Sequence, residues 1–165
     1  MQKSLFLICP TDSIEWIINR HFESVNYFYT SLGNAFLSDA NSLTKIKELI
    51  EVHHIQKIYF VLSSKNEILL DAMKGQFFTN IRGLQKLYDQ IDEHIRHSKS
   101  SWIAEDRKHS IFSYFLNQKI KNLRSDLENF HSEKVDIKGF VYESEAQNFR
   151  PIYSDLTCLQ KHYLN

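Results

Sequence analysis

The chain has 165 residues, 42% apolar and 24% charged, with 20 basic side chains balanced by 20 acidic ones. That length supplies the core of one domain and is short for two, so a single domain over 1–165 is expected. Zero formal net charge excludes a global field pulling the protein to nucleic acid or an anionic membrane, and the basic residues over 82–124 are interspersed with acids, as on a solvated helix face.

The first ten residues, MQKSLFLICP, hold an apolar run too short for a signal peptide, and residues 4–9 read as a buried strand ending at Pro10. Asp12 or Ser13 is placed to cap a short helix running to Arg20, with Ile14, Ile17 and Ile18 on one face. Residues 25–30 (VNYFYT) are β-branched and aromatic, hence a second strand. It runs into a turn at Ser31-Leu32-Gly33-Asn34, where Gly and Asn tolerate positive φ. A helix over 42–53 follows, with Leu43, Ile46, Leu49 and Ile50 at helical spacing.

Residues 57–62 form the third apolar run, and Asn66-Glu67 opens a helix that Gly75 ends. Ile81, Leu84, Leu87, Tyr88, Ile91 and Ile95 fit a long amphipathic helix with a break near 98–101. Ile111, Phe112, Phe115, Leu116, Ile120, Leu123 and Leu127 define another over about 105–129. Residues 134–142 alternate as a strand, 149–152 read as an edge strand closed by Pro151, and 155–163 read as a short helix. Strands alternating with helices predict a three-layer α/β/α domain around a mostly parallel sheet. No run approaches the roughly 18 apolar residues of a membrane helix. Two cysteines, Cys9 and Cys158, give no disulfide framework, so a cytoplasmic protein with reduced thiols is expected.

In an open α/β sheet, ligands bind at the carboxyl ends of the strands. Three stretches should meet there: Cys9, Thr11, Asp12 and Ser13; Thr30, Ser31, Gly33 and Asn34; and Ser63, Ser64, Lys65 and Glu67. Helix starts near Ser13 and Asn66 offer amides to a small anion, and Lys65 adds a positive charge that Asp12 and Glu67 oppose. Cys9 admits two readings, a thiol activated by the helix start that follows it or a buried inert one. Ser63-Ser64-Lys65 has no His or Asp partner at a recognisable hydrolase spacing, and Gly33-Asn34 is a turn rather than a phosphate loop. His53 and His54 precede the third strand and fall at the far edge of the sheet, while His94, His97, His109 and His131 lack metal-ligand spacing.

The order of these pieces resembles the β-class carbonic anhydrases along nearly the whole chain. Cys9-Pro10-Thr11-Asp12-Ser13-Ile14 is similar to the family's Cys-x-Asp-Ser-Arg, and Thr30-Ser31-Leu32-Gly33-Asn34 to its Arg-Asn-Ala-Gly-Asn. Ser42-Leu43 resembles the start of its next helix, and the run from Ile58 to Glu67 its Gly-His-x-x-Cys-Gly strand end. Asn117 to Leu123 and Val135 to Tyr142 look like the family's later helix and its V-x-I-x-G-x-x-Y strand.

The resemblance implies a zinc held by two cysteines and a histidine, gated by an Asp-Arg pair. Here the histidine falls on Ser64, the second cysteine on Glu67, the dyad arginine on Ile14 and the second strand's arginine on Thr30. Cys9 answers to the first cysteine with one residue too many before Asp12-Ser13, which leaves Asp12 and Ser13 as vestiges. The expectation is a protein without zinc or carbon dioxide hydration, acting as a non-catalytic module for a small ligand or a protein. The alternative is a metalloenzyme with a remodelled Cys9, Asp12 and Glu67 site holding zinc, and a generic α/β interaction module is a third reading. The resemblance also implies a homodimer, to which Phe77, Phe78, Trp102, Phe112 and Tyr114 are candidate contributors.

Overall fold

The computed structural model describes residues 2–36, 39–76, 81, 83–97, 104–128 and 135–154. Its centre is a five-stranded sheet of order β2-β1-β3-β4-β5. The strands are β1 (Lys3–Ile8), β2 (Val25–Thr30), β3 (Lys57–Ser63), β4 (Asp136–Glu143) and β5 (Asn148–Pro151). The first four pair in parallel, with Leu5 opposite both Tyr27 and Ile58, and Ile58 opposite Ile137. The fifth returns antiparallel on β4, with Tyr142 opposite Phe149. β1 and β3 are buried along nearly their whole length, as the centre of a parallel sheet covered on both faces requires.

Alternation along the strands sends side chains to two cores. Leu5, Leu7, Ile58, Phe60, Leu62, Ile137 and Val141 meet α2 (Ala40–His53), α3 (Glu67–Met73), α4 (Leu84–His97) and α5 (Ala104–Glu128). Phe6, Ile8, Tyr59, Val61 and Tyr142 face α1 (Glu15–His21), which contributes Ile18, with Ile14 just ahead of it. On this second face Phe22 meets Phe6, Tyr59 and Phe149 at centroid distances of 5.1–5.3 Å. The α/β/α layering and mostly parallel sheet expected from the sequence are therefore present.

Two element boundaries differ from expectation. Asp12 and Ser13 do not cap α1: Asp12 closes a 3₁₀ turn over Pro10–Asp12, Ser13 takes the left-handed conformation (φ 50°), and Ile14 stands at the cap position. The turn exists because Asp12 is drawn toward β3, as described below. α4 begins at Leu84 rather than Ile81, since Gly83 sits at φ 89° and Ile81 is exposed ahead of it. Among the aromatics offered for a dimer contact, Phe112 is instead a fully buried core residue, and Tyr114 stacks on His94 at 3.9 Å. Phe77, Phe78 and Trp102 lie outside the described residues, as do Cys158, His131 and the helix expected over 155–163.

Candidate functional site

The carboxyl ends of β1, β2 and β3 bring the three predicted stretches together, and their polar groups bond chiefly to one another. Cys9 follows β1 fully buried. Its Sγ accepts the Gly33 N–H at 3.1 Å and lies 2.9 Å from Thr11 Oγ1. Two turns that are remote in sequence thus meet at one sulfur atom.

Asp12 joins two of these stretches. Oδ2 accepts the Ser63 N–H at 2.8 Å and Oδ1 accepts Asn66 Nδ2 at 2.7 Å. Burial pushes its carboxyl up from 3.8 to about 6, against the lowering effect of those two hydrogen bonds, and Glu15 raises it further. Asn66 in turn caps α3 by accepting the Leu69 N–H at 3.0 Å. One carboxylate therefore ties the turn after β1 to the end of β3 and the start of α3.

On the β2 side, Gly33 and Asn34 both take positive φ, 60° and 50°. A Cβ on Gly33 would stand 2.7 Å from Leu87 Cδ1 and 3.0 Å from Ile68 Cγ2, so both conformation and space demand glycine. Fully buried Asn34 donates from Nδ2 to Leu7 O at 2.7 Å and to Val61 O at 3.1 Å, bridging β1 and β3. Its Oδ1 and Ser31 Oγ are buried and without a hydrogen-bond partner among the described residues. Thr30 is exposed at the strand end.

At the end of β3, Ser63 and Ser64 are buried, and Ser63 Oγ accepts the Lys65 N–H at 3.1 Å. The Ser64 N–H goes to Tyr142 O at 2.9 Å. Lys65 and Glu67 point to solvent, with Lys65 Nζ 3.4 Å from Glu145. The exposed fringe consists of Thr11, Ser13, Thr30, Lys65 and Glu67, while Cys9, Gly33, Asn34, Ser63 and Ser64 form the floor.

A zinc site needs three converging N, S or O donors with lone pairs aimed at one point. Among the described residues no three His, Cys, Asp or Glu side chains are so grouped. The set Cys9, Asp12 and Glu67 is not assembled: the Cys9 sulfur turns to Gly33, both Asp12 oxygens turn to Ser63 and Asn66, and Glu67 is exposed in the first turn of α3. These donors do not fit a resident zinc. The histidines stand apart. His53 stacks on Tyr27 at 4.2 Å, and buried His109 meets Pro151 O through Nε2 at 3.1 Å.

Sequence reasoning placed Asn66 only at a helix start. Its bond to Asp12 carried no signal, because the two positions are 54 residues apart and neither side chain advertises the other. Buried Lys119 was also missed. Its Nζ lies 5.1 Å over the Phe115 ring, and burial lowers its amine to about 8, with Lys86 lowering it further.

This arrangement of strands and helices is that of the β-carbonic anhydrases. CafD of Aspergillus fumigatus superposes with a TM-score of 0.74 over 93% of this chain and 90% of its own, at 16% identity. A Coccomyxa β-carbonic anhydrase solved with acetazolamide gives 0.69 over 99% and 85%, at 11% identity. A Sordaria macrospora enzyme, one of two described as tetrameric, gives 0.66 over 93% and 81%, at 12% identity. The chain thus has the β-carbonic anhydrase fold. No protein-family model and no curated protein matches the sequence.

Proposed function

We propose that this protein uses the β-carbonic anhydrase scaffold as a non-catalytic binding module, without zinc and without carbon dioxide hydration. The observation that carries this reading is the engagement of Asp12. In the carbonic anhydrases that the sequence resembles, the corresponding carboxylate works beside a metal with an arginine. Here both oxygens are occupied by Ser63 and Asn66, and Ile14 stands where that arginine would be. Cys9 is likewise committed to Gly33 and Thr11, and the family's other two ligand positions hold Ser64 and Glu67.

The strand-end face then serves as a recognition surface. Its floor is filled by its own side chains, and its rim carries Thr11, Ser13, Thr30, Lys65 and Glu67 in solvent. That rim suits hydrogen bonding to a protein partner or a small anion. A homodimer belongs to the same reading: β2 is an edge strand, Val25 on it and Leu32 just after it are exposed, and Trp16 on α1 is 65% exposed. Among the described residues no helix is long and apolar enough to cross a membrane, and the cytoplasm is the proposed location. Calorimetric titration of zinc into chelator-treated protein tests the proposal. It predicts no saturable heat, and a stoichiometric isotherm lost in Cys9→Ala would overturn it.

A further inference from the structure

The seam between α4 and α5 holds a buried cation that nothing among the described residues neutralises. Lys119 is only 4% exposed. Its Nζ lies over the Phe115 ring at 5.1 Å and meets no described carboxylate. An ammonium that deep is ordinarily paired, because burial strips away its hydration. Here the surroundings do the reverse: burial, and then the like charge of Lys86 on α4, lower the Lys119 amine to about 8, with no carboxylate acting to raise it. Asp126, the nearest acid along α5, stands two turns further on, roughly 10 Å along the axis.

α4 adds a polar atom of the opposite kind. Lys86, Gln90 and His94 recur every four residues, so they share one face of that helix. Both ends of the row are turned to α5: Lys86 acts on Lys119, and His94 stacks on Tyr114 at 3.9 Å. Gln90 therefore stands in the seam between them. Its Oε1 is buried and has no hydrogen-bond partner among the described residues. Lys86 is exposed and likewise without a partner there. Two cations without counter-charge and one orphaned acceptor thus border a single seam, and such unsatisfied groups call for a bound species.

We infer that this seam binds a small oxyanion carrying a proton of its own, namely hydrogen phosphate. Its negative oxygens accept from Lys119 and Lys86, and its hydroxyl donates to Gln90 Oε1. The glutamine supplies the selectivity. Sulfate matches phosphate in shape, but at neutral pH it has no proton and offers Gln90 only another acceptor.

Calorimetric titration of the full chain with inorganic phosphate, in a buffer free of other oxyanions, tests this. Saturable binding is expected, weakened at least about tenfold in Lys119→Met and in Lys86→Gln. Sulfate should bind at least about tenfold more weakly than phosphate, and Gln90→Leu should abolish that preference. Lys119→Met keeps the side-chain length and removes a buried charge, so an unlowered thermal melt shows that it folds. Lys86→Gln alters an exposed side chain and carries the test should Lys119→Met unfold. Absence of saturable binding, undiminished binding in Lys86→Gln, or equal affinity for sulfate would each overturn the inference. So would binding lost in Lys65→Gln but kept in the other two lysine variants, which would seat the anion at the strand ends instead.

Discussion

Asn66 grips Asp12 with one end of its side-chain amide and caps α3 with the other: Nδ2 lies 2.7 Å from Asp12 Oδ1, and Oδ1 lies 3.0 Å from the Leu69 N–H. The two bonds use both ends of one rigid planar group, so a substitution cannot be neutral to both. Asn66→Ala should lose the cap and leave half of a buried carboxylate unpartnered, costing about 2–3 kcal/mol in urea unfolding at neutral pH. Asn66→Asp keeps the cap but sets a second carboxylate against Asp12. Its deficit should be largest at neutral pH and shrink as acid protonates the pair.

Asp12 itself predicts a pH dependence. Its folded-state value is raised from 3.8 to about 6, so the native state holds the proton more tightly than the unfolded chain. The stability it contributes is full below about 3.8 and is lost as pH rises through about 6. Wild type should therefore lose stability relative to Asp12→Asn across that window, by up to about 1.4 kcal/mol per pH unit, and the gap should be flat above it. Paired urea titrations at several pH values check the slope. A gap independent of pH would show that Asp12 does not titrate in this window.

How far the sequence reveals this structure depends on the range of the signal. β1, β3 and α5 were legible because their apolar residues recur at strand or helix period, and Leu5, Phe60 and Phe115 are fully buried where that pattern puts them. The start of α1 was not, because Asp12 resembles a local cap while its oxygens bond residues 51 and 54 positions away. The candidate site shows the same division. Which residues reach the strand ends followed from topology, whereas their commitment to one another, Cys9 to Gly33 and Asn34 to Leu7 and Val61, depends on contacts that no local pattern encodes.

The two close-packed glycines should respond differently to alanine. Gly33→Ala combines a left-handed φ of 60° with a Cβ only 2.7 Å from Leu87 Cδ1, so strain and overpacking add. A loss of roughly 2–4 kcal/mol is expected. Gly139→Ala meets the tip of Ile152 at 2.6 Å without a positive φ, and Ile152 can swing into the adjacent cavity between α5 and β4. About 1–2 kcal/mol is expected there, and thermal melts of the two variants check the order.

Cys9 should behave as a structural thiol. It is fully buried, and its sulfur accepts the Gly33 N–H. In a Cys158→Ser background, an aromatic disulfide reagent should label Cys9 only at the rate of unfolding, and denaturant should release it. Cys9→Ala should cost about 1–3 kcal/mol by orphaning the Gly33 N–H, with Cys9→Ser recovering part of the loss. Fast labelling of the folded protein would instead place the thiol within reach of solvent.

The most direct measurement is elemental analysis of untagged, freshly purified protein, made alongside a carbon dioxide hydration assay on the same sample. The account predicts zinc at trace level and hydration no faster than buffer, because Cys9 and Asp12 are committed to Gly33, Ser63 and Asn66. About one zinc per chain with measurable hydration would contradict it and require a donor set other than Cys9, Asp12 and Glu67.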